Sequence, residues 1–123
     1  MSLNTRLKLL LKIDVRLKKN IAPIENALNK VSALRGVVFE WRTEEYPERD
    51  LNEGQEIGLI AQEVEEVLPS MVAEDNDGYK SLDYSRFSPV LIEAIKELKA
   101  EMEKLREENA TLKERIAVLE ERY

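Results

Sequence analysis

Asp75, Asn76 and Asp77 set three oxygen-bearing side chains in a row before Gly78, and such a run is the raw material of a hard-cation loop. The spacing does not complete one. A calcium loop of the EF-hand kind through these acids also needs an acid at Ala73 and a Glu at Tyr84, and neither position can ligate. The same four residues are strong turn formers, so the sequence predicts a β-hairpin joining Val72–Glu74 to Tyr79–Leu82. The chain has no His and no Cys. Thiol and imidazole catalysis, disulfides and ordinary zinc sites are thereby excluded, and no metal or cofactor is expected.

The cations are concentrated at the start of the chain, where Arg6, Lys8, Lys12, Arg16, Lys18 and Lys19 stand against Asp14. No aromatic residues alternate with them to stack on bases, so this arm reads as a solvated end. The net charge of −6 gives the whole chain no general attraction to nucleic acid or anionic membrane. The apolar run Leu9 to Leu11 is too short for a signal-peptide core or a membrane span. A soluble protein is expected, with neither nucleic acid nor membrane as partner.

The elements that must position any site follow from the apolar spacing. Leu3, Leu7, Leu10 and Leu11 suit a short amphipathic helix or a flexible leader. Ile24, Ala27, Leu28, Val31 and Leu34 predict a helix starting at Pro23 and stopped by Gly36. Val37 to Trp41 predicts a strand with Phe39 and Trp41 on one face and Trp41 as a core anchor. Thr43 to Gln55 predicts a projecting loop, Ile57 to Ile60 a short buried strand, and Ala61 to Leu68 a helix ended by Pro69.

The last helix is predicted to begin between Tyr84 and Pro89, capped by Ser85 or Ser88, and it contains a heptad. Leu91, Leu98, Leu105, Leu112 and Leu119 fall at d; Ile95, Met102, Asn109, Ile116 and Tyr123 fall at a. Glu101 with Arg106, Glu108 with Lys113, and Arg115 with Glu120 place opposite charges at g and the following e, which favours parallel, in-register copies. A helix of this length exceeds what the small remainder could cover, so self-association is expected. Leu at d with Asn109 at a leans towards a dimer on physical grounds alone. A basic-zipper role is excluded, because no continuous basic helix precedes Leu91.

Four ordered stretches carry a resemblance: Asp14 to Ile21 (DVRLKKNI), Ala27 to Trp41 ending in LRGVVFEW, Gly58 to Pro69 (GLIAQEVEEVLP), and Asp77 to Leu98. Together they resemble the intramolecular chaperone domain of endosialidases and phage tail spikes, the S74 peptidase family. The resemblance implies a C-terminal domain that trimerises, helps an upstream fibrous or β-helical passenger to assemble, and then releases itself by cleavage. It moves the expected state from dimer to homotrimer. Assembly would take place in the host cytoplasm during virion formation.

Cleavage in that family resembles Ser-Lys chemistry, with the Ser just before the Asp and the Lys serving as its base. The match here gives Asp14 for the Asp and Lys18 for the base, whereas Ile13 occupies the nucleophile position. A hydrocarbon offers no nucleophile, and Ser2 and Thr5 fall outside the spacing. The expectation is an assembly domain that does not cut, with Lys18 as a surface or partner-facing cation. The alternatives are an active self-cleaving endopeptidase and a plain coiled-coil adapter.

The expected fold is therefore α+β: a leader or passenger-junction remnant over 1–12, a mixed body over 13–90, and a trimeric parallel coiled coil over 91–123. Because only Met1 to Lys12 precede the motif, the chain is expected to be a fragment or a stand-alone relative whose passenger lies elsewhere.

Overall fold

The architecture is organised around two alanines. Ala27 and Ala94 are both buried, and with Val90 they form the contact where a short helix, α1 (Ala27–Ser32), lies against the first turns of a long one, α3 (Phe87–Arg122). Small side chains let the two backbones approach closely, and Ile24, Leu28, Val31 and Leu68 close the rim. The computed structural model describes residues 13–123; the apolar stretch Leu3 to Leu11 lies outside the described residues.

Between these helices run two separate antiparallel pairs. Strand β1 (Val37–Glu40) pairs with β2 (Gln55–Gly58), Val38 opposite Ile57 and Phe39 opposite Glu56. Helix α2 (Ala61–Val67) follows and buries Val64 almost completely. Strands β3 (Val72–Glu74) and β4 (Lys80–Leu82) then form the predicted hairpin, in register Val72 to Leu82. The Asp75 carboxylate accepts the backbone N–H groups of Asp77 and Tyr79 at 2.9 and 3.0 Å, which makes it a turn organiser. Of the four turn residues only Gly78 takes a positive φ, +86°.

The mixed body, the two small sheets and the long terminal helix agree with the α+β expectation, and several local expectations need correction. Helix α1 begins at Ala27 instead of Pro23, because Asn26 before it adopts the left-handed conformation. It ends at Ser32, with Ala33 as a right-handed cap, so Gly36 does not stop it. The second strand covers Gln55–Gly58, and Ile57 is 83% exposed on its outer face. Phe39 and Trp41 do share a face, with ring centroids 4.8 Å apart edge to face, yet Trp41 is 41% exposed and anchors no core.

The Thr43 to Gln55 region folds back onto the hairpin. A 3-10 turn at Pro47–Arg49 places the Arg49 guanidinium 3.9 Å from the Tyr79 ring centre, and Tyr46 meets the same ring edge on. The N-cap position of α3 is Arg86, with no side-chain cap; the cap lies one turn earlier, where Asp83 accepts both the backbone N–H and the hydroxyl of Ser85 at the head of a 3-10 turn, Tyr84–Arg86, leading into α3. Ser85 is thus the capped residue. Among the described residues no helix is long and apolar enough to cross a membrane.

Candidate functional site

Two features concentrate the residues singled out by sequence: a groove at the start of the described chain and the seam along α3. The groove begins with Asp14, which initiates a 3-10 turn over Val15–Leu17. Its carboxylate accepts the Arg16 backbone N–H at 2.9 Å and the Arg16 guanidinium at 2.8 and 3.1 Å. The guanidinium, then the backbone N–H, hold the Asp14 carboxyl below its ordinary value. This bidentate pair fixes the turn that separates Ile13 from Lys18.

Ile13 and Lys18 line one open groove of about 850 Å³, floored by Leu68, Met71 and Val90. Both side chains are exposed, Ile13 at 74%. Lys30 and Arg86 add positive charge to the same walls, against Glu25. Two hydroxyls that chain spacing could not reveal, Ser70 and Ser85, also face it; they arrive from the α2–β3 turn and from the cap of α3. The Ser85 hydroxyl is committed to Asp83 at 2.5 Å. Asp14 is absent from the groove lining, its carboxylate held by Arg16.

Behind the groove, the third resemblance stretch is tied to the head of the long helix. An added Cβ at Gly58 would stand 2.9 Å from the Tyr84 hydroxyl and 3.1 Å from the Phe39 ring. That hydroxyl accepts the Leu59 backbone N–H at 3.1 Å, tying β2 to the head of α3. Arg35 and Glu63 form a bidentate pair at 2.9 Å that joins the end of α1 to α2, and Glu63 is held below its ordinary value chiefly by that guanidinium. Lys80 of β4 pairs with Glu65 of α2.

The seam residues Leu91, Ile95, Leu98, Met102, Leu105, Leu112, Ile116 and Leu119 lie on one side of α3 and are 45–65% exposed. Asn109 is exposed in the same stripe. The body packs on a neighbouring stripe, Phe87, Val90 and Ala94, continued by Glu97, whose carboxylate accepts the backbone N–H groups of Ala27 and Leu28 at 3.2 and 2.6 Å. This cap crosses the molecule, and no local sequence signal announces it. Beyond Glu97 every residue of α3 is exposed, so among the described residues nothing covers the apolar side.

Comparison with known proteins places this arrangement. Residues 14–73 match the S74 peptidase family described as the chaperone of endosialidase. That segment, just under half of the chain, carries the likeness to the chaperone-of-endosialidase family. It is 42% identical over 96 residues to the long tail fiber protein Gp37 of Enterobacteria phage K3, covering 75% of this chain and 8% of that protein. Its likeness to the long tail fiber protein Gp37 of Enterobacteria phage T2 is also 42% over 96 residues, 75% of this chain and 7% of that protein. The corresponding protein of Salmonella phage S16 is 33% identical over 115 residues, 86% of this chain and 15% of that protein. The chain thus spans a small fraction of the length of these relatives.

Proposed function

We propose that this chain is the C-terminal assembly chaperone of a phage tail fibre: it gathers three copies through α3 and holds the ends of an upstream fibrous passenger in register. The family match over residues 14–73 and the likeness to long tail fiber proteins support the chaperone and the passenger. The observation that carries self-association is the uncovered a/d stripe from Leu91 to Leu119, about half exposed in the single chain. Burying it stabilises by roughly 25 cal/mol per Å² of apolar surface removed from water, and among the described residues none covers it beyond Glu97. Gathering identical chain ends raises their effective concentration and removes much of the entropic barrier to starting an intertwined fold.

In this reading the domain stays attached, because Ile13 supplies no nucleophile. Lys18 remains in the base position of the motif and is exposed, where it can meet a passenger. Sedimentation equilibrium at micromolar concentration tests the assembly: a trimer is expected, and a monomer refutes the reading. Intact mass after prolonged incubation tests the chemistry, with an unchanged chain expected and a fragment starting at Ile13 or Asp14 refuting it.

A specific observation favours a latent protease as the second reading: the Ile13 and Lys18 side chains share one groove. If only the nucleophile is missing, Ile13→Ser will release a fragment beginning at residue 13, and Ile13→Ser with Lys18→Ala will not.

A further inference from the structure

The heptad of α3 contains an exception at the end nearest the body. Its e positions are Ile92, Lys99, Arg106, Lys113 and Glu120, so all but the first are charged. Ile92 is 57% exposed and belongs neither to the a/d stripe nor to the stripe that holds the body. The g positions change character at the same level. Phe87 and Ala94 are buried under the chain's own body, whereas Glu101, Glu108 and Arg115 further along are exposed and charged.

These two changes are linked by coiled-coil geometry. In parallel, in-register helices a g residue of one copy lies beside the e residue five places later in the next. The complementary pairs Glu101 with Arg106, Glu108 with Lys113, and Arg115 with Glu120 select that arrangement here. Carried upward, the same rule sets Phe87 beside the next copy's Ile92. The body sits on the g and c side of its own helix, through Phe87, Val90, Ala94 and Glu97. It therefore occupies the outer groove against the e side of the following helix.

We infer that the body of each copy docks onto α3 of the next, with Ile92 of that next copy covered by Tyr84, whose ring is 57% exposed in the single chain and lies 6.2 Å from the buried Phe87. This rests on the parallel assembly proposed above and adds to it a second contact outside the seam. The bodies become part of the interface, and each one rests on two helices. The apolar character of Ile92 is then explained, because water is excluded from that e position alone.

Disulfide trapping tests this in the full chain, which has no Cys of its own. Tyr84→Cys and Ile92→Cys in one chain stand more than two turns apart on the same helical run, about 12 Å. That exceeds disulfide reach, so a bridge forms only between copies. Mild oxidation is expected to give a cross-linked trimer on a non-reducing gel, and pairing Tyr84→Cys with Ala100→Cys, on the outer f side, is expected to give none. Sedimentation under reductant separates the two ideas. An assembled chain that fails to cross-link overturns the docking and leaves the seam standing, whereas a parent chain that sediments as a monomer removes both. Should the double variant fail to assemble, thiol alkylation of Ile92→Cys alone decides. A rate at least tenfold below that of Ala100→Cys is expected, and equal rates overturn the docking.

Discussion

Glu97 accepts the backbone N–H of Leu28 at 2.6 Å, from a helix that lies almost the whole body away in sequence. With the Ala27 N–H also bound, one carboxylate satisfies two of the free donors at the start of α1. Asn26, in the N-cap position, makes no side-chain cap of its own, so the long helix supplies what the local sequence omits. The pairing also fixes the rotation of α3, since it holds Glu97 against the body and so turns the Leu91 to Leu98 side outward.

Replacing Glu97 with Ala should lower unfolding free energy by about 1–2 kcal/mol, in the range of a lost helix cap. Glu97→Gln should cost less, because one oxygen still accepts. Urea unfolding of the two variants and the parent at one fixed protein concentration checks the order, because the proposed assembly would couple stability to concentration.

Gly58→Ala should cost about 1–3 kcal/mol, the range for forcing added volume into a filled site. The Cβ meets the Tyr84 hydroxyl and the Phe39 ring, and neither can move without disturbing the Leu59 bond or the β1 face. Pairing it with Tyr84→Phe gives the sharper result. Removing the hydroxyl should relieve part of the clash, so thermal melting of the double variant should lie above the sum of the two single losses.

Acid should loosen the body through Glu63. Its folded pKa is depressed by Arg35, so the contribution is fully present above the ordinary glutamate value of about 4.3 and fades as pH falls through the lower folded value. Asp14 with Arg16 and Asp83 with Ser85 act in the same direction. Melting temperature measured between pH 6 and pH 3 should fall on acidification, and Glu63→Gln should flatten that fall.

In the assembly proposed above Asn109 becomes a buried a residue, so Asn109→Ile should raise the melting temperature while blurring the number of copies, because a buried polar a residue costs stability and specifies strand number and register. Analytical ultracentrifugation should report a mixture of assemblies for the variant against a single species for the parent. A single trimer in both would show that the other seam residues set the count.

Periodicity and turn chemistry made much of this fold legible. The Ala61 helix with its Pro69 stop, the hairpin at Gly78 and the uninterrupted final helix all follow from local rules that no distant contact contradicts. What escaped depends on partners remote in sequence. The start of α1 is set by a positive-φ Asn26 and by Glu97, and Trp41 lies just past the end of β1, where its ring meets Phe39 edge on and stays 41% exposed. Ile57 misled because a β-branched apolar residue suggests burial, yet its alternate neighbours Glu56 and Gly58 take the inward face. The groove was half legible: motif spacing supplied Ile13 and Lys18, while Ser70 and Ser85 reach it only through folding.

From Phe87 to Arg122 the chain is one unbroken helix, and its first turns are the floor on which the body is built. A head whose floor is also the stem shares the fate of that helix: a break in its first turns would undo the packing of Ala27 against Val90 and Ala94 as well as shorten the rod beyond it.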